Sequence, residues 1–90
     1  MADRIPMHEA MKQAIQNIEE IYKDENLTDV EIEEVEHDME GNWSITVGFT
    51  RPKTRQTLGG LTIPARSLKR VIIDSYDGRF KGMKMYQPGQ

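Results

Sequence analysis

"WSITVGFT", Trp43 to Thr50, decides the fold. Trp43, Ile45, Val47 and Phe49 fall on one side of an extended chain, and Ser44, Thr46, Gly48 and Thr50 on the other. A strict period of two is the mark of a strand with one face on a core and one face polar. The preceding segment, "LTDVEIEEVEHDMEGNW" from Leu27 to Trp43, reads as its hairpin partner with Glu40-Gly41-Asn42 as the turn. Val30 and Ile32 alternate with acids, but Val35 falls on the opposite phase. One extra residue reverses the facing of every later side chain, so the pattern predicts a bulge near Glu33-Glu34.

A helix covers the apolar face. Met7, Ala10, Met11, Ala14, Ile15, Ile18, Ile21 and Tyr22 recur at three- and four-residue steps, which places them on one side of a helix over about 6–23. Pro6 suits its first turn, where a missing N–H has no partner to lose. Asp3 is placed to cap the start and Asp24-Glu25-Asn26 to end it. Ile15, Ile18, Trp43, Ile45, Val47 and Phe49 are the expected core.

Downstream, "RPKTRQTLGGLTIPA" (51–65) breaks the alternation with Pro52, Gly59-Gly60 and Pro64. It reads as a long loop, and loops of about 15 residues in compact domains are more often functional or mobile than merely connective. The stretch from Lys53 to Ala65 is expected to be mobile, ordering on an anionic or acidic partner. "RSLKRVIID" resumes as a strand with Val71 and Ile73 inward, and Leu68 inward after a second slip. Asp77-Gly78 turns the chain into a last strand with Phe80, Met83 and Met85 inward, and 87–90 is a frayed tail. The expected fold is a single α+β domain, 1–90, with one N-terminal helix packed on a curved four-stranded antiparallel meander. Its strands lie at about 29–38, 43–50, 67–74 and 79–86.

The strand sequences resemble a family of small, largely uncharacterised bacterial proteins akin to PepSY and cystatin-like α+β domains. Trp43, Phe49-Thr50-Arg51-Pro52, Ile73-Asp74 and Gly78 carry the likeness, which runs over about residues 6–86. The resemblance implies a helix cradled by an antiparallel sheet and an inhibitory or binding role, and it brings no catalytic residues. The segment "KTRQTLGGLTIPA" departs from that pattern.

Charge is divided unevenly. Residues 1–45 hold thirteen acids against Arg4, Lys12 and Lys23, a balance of −10, while residues 46–90 hold nine bases against Asp74 and Asp77, a balance of +7. Either the two halves pair across one sheet, or one half meets a partner of opposite charge. Arg51, Lys53, Arg55, Arg66, Lys69 and Arg70 bracket the 51–65 loop and form a candidate positive lip, with Leu58, Leu61 and Ile63 as the buried part of a protein contact.

Other chemistry is poorly represented. The acids Glu31, Glu33, Glu34, Glu36 and Asp38 are spread along a strand, whereas calcium needs six to eight oxygens converging on a point. His8 and His37 read as surface residues without a general-base partner. "LGGL" lacks the spacing of a phosphate loop. No catalytic, metal or cofactor residue is expected. The sequence has no cysteine and no apolar run of membrane-spanning length, so a cytoplasmic protein is expected. The expected role is a non-enzymatic binding or regulatory domain, inhibitor-like, with a macromolecular and preferably protein partner. A nucleic-acid-associated protein using the bases around 51–65 is the alternative. In solution a monomer or weak homodimer is expected, the latter meeting through the uncovered sheet face near Ile72 or through an edge.

Overall fold

The computed structural model describes residues 4–85, with the side chains of Gln56 and Leu58 outside that description. Helix α1 (Met7–Ile21) is followed by a 3-10 turn (Lys23–Glu25) and strands β1 (Thr28–His37), β2 (Asn42–Leu58), β3 (Leu61–Asp74) and β4 (Phe80–Met85). The strands form one antiparallel sheet in the order β1-β2-β3-β4, so the α+β meander read from the sequence is the observed fold. Among the described residues, no helix is long and apolar enough to cross a membrane.

Ala10, Ala14 and Ile18, four residues apart, form the buried line of α1. The two alanines let the helix backbone lie close to the sheet, where Ile45, Val47 and Phe49 of β2 meet Val71 and Ile73 of β3. Pro6 holds the N-cap position without a side-chain cap; its carbonyl accepts from the amides of Glu9 and Ala10, both at 3.1 Å. Asp3, the expected cap, and the tail at 87–90 lie outside the described residues.

The predicted bulge is present. The β1–β2 register steps from Ile32↔Val47 to Glu34↔Thr46, which skips Glu33 and returns Val35 to the core side opposite Ile45. A second irregularity follows Thr28, where Asp29 takes a φ of 53°.

Several expected positions are corrected. Segment 51–65 is not a loop: β2 and β3 run on through it, joined by Gly59-Gly60. Leu68 does not turn inward, because β3 pairs with β2 without a slip from Ser67 to Asp74 and so sets Leu68 opposite Gly48, on the face away from Val71 and Ile73. Phe80 and Met85 are exposed, and only Met83 of β4 packs on the core. Ile15 is half-buried at the margin of the helix stripe. Trp43 is also half-buried: its indole N–H donates to the Ile5 carbonyl at 3.2 Å and its ring meets His37 edge-on at 4.9 Å. Ile5 in turn donates its amide to the Ser75 carbonyl at 2.6 Å, so Trp43 anchors the chain leading into α1.

At the β3–β4 turn, Asp74 accepts the amides of Tyr76 at 2.8 Å and Asp77 at 3.2 Å, and Gly78 supplies a φ of 74°. Those two amides hold the Asp74 carboxyl below the ordinary aspartate range.

Truncation of the buried ring in Phe49→Ala is expected to cost about 3–5 kcal/mol in urea denaturation. Ile15→Ala, at the half-exposed margin, should cost only about 1 kcal/mol. Equal losses at both positions would mean the helix is rotated from the orientation described.

Candidate docking arm

Among the described residues, the sheet narrows to two strands beyond Thr50. β1 begins pairing with β2 at Thr28↔Thr50, and β4 reaches along β3 only as far as Lys69↔Met85. Residues 51–65 therefore leave the body as a two-stranded arm with neither edge joined to another described strand. The radius of gyration, 14.4 Å, exceeds the roughly 12 Å of a compact chain of this length.

The turn explains why the arm is a hairpin. Gly59 and Gly60 have φ of 56° and 84°, the paired positive values of a two-residue turn whose twist matches the flanking strands. Leu58 pairs with Leu61, Thr57 with Thr62, Gln56 with Ile63 and Arg55 with Pro64. Counted back from such a turn, hydrogen-bonded and non-hydrogen-bonded pairs alternate, which makes Arg55↔Pro64 a non-hydrogen-bonded pair. The Pro64 nitrogen thus faces the open edge, where no ladder bond is lost. Pro52 is absorbed differently: the register jumps from Arg51↔Ala65 to Arg55↔Pro64, so Pro52, Lys53 and Thr54 bulge out of β2.

The arm is clamped at its root. Arg51 donates to both Glu25 carboxylate oxygens, at 2.9 and 3.1 Å, and its guanidinium lies 5.1 Å from the Tyr22 ring centroid. Tyr22 meets the buried Phe49 ring at 5.0 Å, which links the clamp to the core. Lys53 Nζ donates to the Asp24 carbonyl at 2.7 Å, and Thr54 Oγ1 to Glu25 at 3.5 Å. The Arg51 hydrogen bonds hold the Glu25 carboxyl below its ordinary value, more strongly than partial desolvation raises it.

Most of the six bases face their own chain. Arg51 and Lys53 serve the clamp. Arg66 Nη1 donates to the Asp29 carbonyl at 2.6 Å, and its Nη2 lies 3.5 Å from Glu33 and 3.8 Å from Glu31. Arg70 Nη2 lies 3.6 Å from Glu34. These contacts run from β3 to β1 across the intervening β2, which is possible because β2 presents Ser44, Thr46 and Gly48 on that face. Thr46 is in register with Glu34 on one side and Arg70 on the other, and the crossing pair buries it. At Gly48 a Cβ would come within 2.7 Å of Arg66 Nη2 and 3.1 Å of Glu33 Oε1, so only glycine leaves that crossing undisturbed. The charge division between the two halves of the chain is thus used within one sheet face.

Lys69 is half-buried between Val47 and Met85 in register. Arg55 is exposed and forms no ion pair among the described residues. Leu61 is 70% exposed, and Ile63 and Ala65 are half-buried on the same side of the strand. The arm therefore joins an apolar stripe to one outward-facing arginine, and no acidic residue occurs from Thr46 to Ile73.

Elsewhere, the recess of about 210 Å³ lined by Glu19, Tyr22, Lys23, Asn26 and Leu27 adjoins the clamp. Among the described residues, no three or more metal-ligating side chains gather in one place. Comparison with protein-family models, curated proteins and solved structures finds no match.

The clamp gives stability a defined pH dependence. Because the folded Glu25 carboxyl titrates below the unfolded one, its contribution is complete above the unfolded value near 4.5 and fades as pH falls through the folded value. Wild type should exceed Glu25→Gln in stability by a constant margin at neutral pH, and by a shrinking one below about pH 4.5 in urea titrations. A margin independent of pH would remove the Glu25 carboxylate from the clamp. For the outer-face crossing, a double-mutant cycle on Arg66→Ala and Glu33→Ala should give a coupling of about 0.2–1 kcal/mol, smaller in high salt. In Gly48→Val that coupling should vanish.

Proposed function

We propose that this chain is a non-enzymatic binding or regulatory domain that acts on a macromolecular partner, and that the arm is the element that meets it. The observation carrying this reading is the projection of residues 51–65 beyond the helix and both outer strands, with Leu61 exposed near its tip. An isolated two-stranded hairpin is marginal in water, and here its first residues are held by Glu25 and Asp24. Such a construction presents an apolar edge at low ordering cost.

A protein partner fits better than nucleic acid. Arg51, Lys53, Arg66 and Arg70 contact acids or carbonyls of the same chain, which leaves few charges to neutralise phosphates. Apolar contact through Leu61 and Ile63, steered by Arg55, suits a protein surface. The inhibitor-like form of this reading draws on the PepSY- and cystatin-like resemblance of the strand sequences. A cytoplasmic setting accords with the cysteine-free composition.

A photo-crosslinking residue at position 61 of the full chain should capture a macromolecule from native lysate, whereas the same residue at Asp77, on the β3–β4 turn, should not. Nuclease treatment should leave the adduct intact. Equal capture from both positions would remove the arm as the docking element, and nuclease-sensitive adducts would favour the nucleic-acid alternative.

A further inference from the structure

We infer that the outer face of the sheet, away from α1, is the contact between two copies of this chain. The copies stack face to face about a twofold axis that runs along the strands. This surface is separate from the arm and does not depend on the arm's docking role.

Charge on the outer face is sorted by strand. β1 carries Glu31, Glu33, Glu34 and Glu36, while β2 presents only Ser44, Thr46, Gly48 and Thr50. Arg66 and Arg70 follow on β3, and Lys84 on β4. The two arginines close on Glu31, Glu33 and Glu34, so the middle of the face is neutral. The margins are not. Glu36 on β1 and Lys84 on β4 are exposed, and neither forms an ion pair among the described residues.

The symmetry of a closed dimer then selects one arrangement. A twofold axis across the strands would lay β1 on β1 and β4 on β4, acid on acid and base on base. An axis along the strands lays β1 on β4 of the other copy, and β2 on its β3, at unchanged height. Glu36, Ser44, Ile72 and Gly82 share one row of the sheet. Glu36 therefore comes to stand over Gly82 of the other copy, beside its Lys84. In the same row Ile72 comes to lie over Ser44 of the other copy, and two rows on Leu68 lies over its Gly48. Large side chains thus meet small ones. Joining edges is no substitute: β1 to β1 or β4 to β4 sets like charges together, and β1 to β4 grows without closing.

The face is small. Four strands at about 4.8 Å spacing, over the residues from Ser44 to Thr50, span roughly 19 by 23 Å. Two such faces cover on the order of 900 Å², just under the size of a stable specific contact, which makes the dimer weak and reversible. Because the axis follows the strands, both arms leave the dimer at the same end.

Sedimentation equilibrium on the purified full chain, from about 10 to 200 µM, should show a reversible species of twice the 10.4 kDa chain mass and none larger. Glu36→Lys and Lys84→Glu should each weaken association about tenfold, since both symmetry-related contacts then oppose like charges. Both residues are exposed, so circular dichroism should show an unchanged fold. Mixed together, the two variants should form a heterodimer, with one contact native and the other carrying exchanged charges. Leu61→Asp, at the tip of the arm, should leave the dimer intact. A wild-type chain that stays monomeric throughout, or a dimer indifferent to both charge reversals, would overturn the inference. So would a mixed pair that fails to associate, or growth into open-ended oligomers. Loss of the dimer in Leu61→Asp would also overturn it, by moving the contact to the arm.

Discussion

The bidentate contact between Arg51 and Glu25 is the point at which the body of this protein becomes its arm. Behind it stands a continuous chain of contacts, from the buried Phe49 ring through Tyr22 to the Arg51 guanidinium. Ahead of it, β2 and β3 continue with no helix or third strand beside them among the described residues. A ribbon of that kind has little apolar burial to offset its conformational entropy, so its order must be supplied from its base. The 3-10 turn after α1 does this with one carboxylate and one carbonyl, which accept from Arg51, Lys53 and Thr54. The end of the helix thereby sets the direction of a hairpin more than twenty residues later in the chain.

The same economy governs the sheet's outer face. Arg66 and Arg70 cross a strand whose side chains there are small, and close on the acids of β1. Each such pair, half-exposed, contributes on the order of 0.2–1 kcal/mol, so the crossing is a modest source of stability. Its larger effect is on availability. Arginines that in sequence stand as a basic lip are spent on the protein's own carboxylates, and a chain with halves of −10 and +7 presents a largely self-neutralised face. The acidic edge at Glu31 and Glu36 and the basic edge at Lys81 and Lys84 also discourage unplanned strand pairing at either side of the sheet.

Much of the body was legible in the residues. The alternation from Trp43 to Thr50, the helical spacing from Met7 to Tyr22 and the phase break at Glu33 each reflect local geometry with a fixed period, and each appears where that period places it. The arm was not legible, because Pro52 and Pro64 read as strand breakers. One sits in a bulge and the other opposite Arg55 with its nitrogen turned outward, and neither position is visible without the register. A signal was present in Gly59-Gly60, flanked symmetrically by Leu-Thr on either side, which is a two-residue hairpin motif. The facing of Leu68 was not legible either, because Val71, Ile72 and Ile73 run together and leave the strand's phase open. The role of Gly48 had no local signal at all, since it depends on side chains from two other strands.

Docking through the arm requires residues 51–65 to be an ordered hairpin in the protein itself. In a non-hydrogen-bonded antiparallel pair the facing α-protons lie close together, so Thr57 and Thr62 provide a direct reporter. Nuclear Overhauser spectra of the dilute chain should show a strong cross-peak between the α-protons of Thr57 and Thr62, with amide relaxation along the arm like that of β1. No such cross-peak, together with random-coil shifts and fast motion from Lys53 to Ala65, would contradict the hairpin and return the segment to a loop.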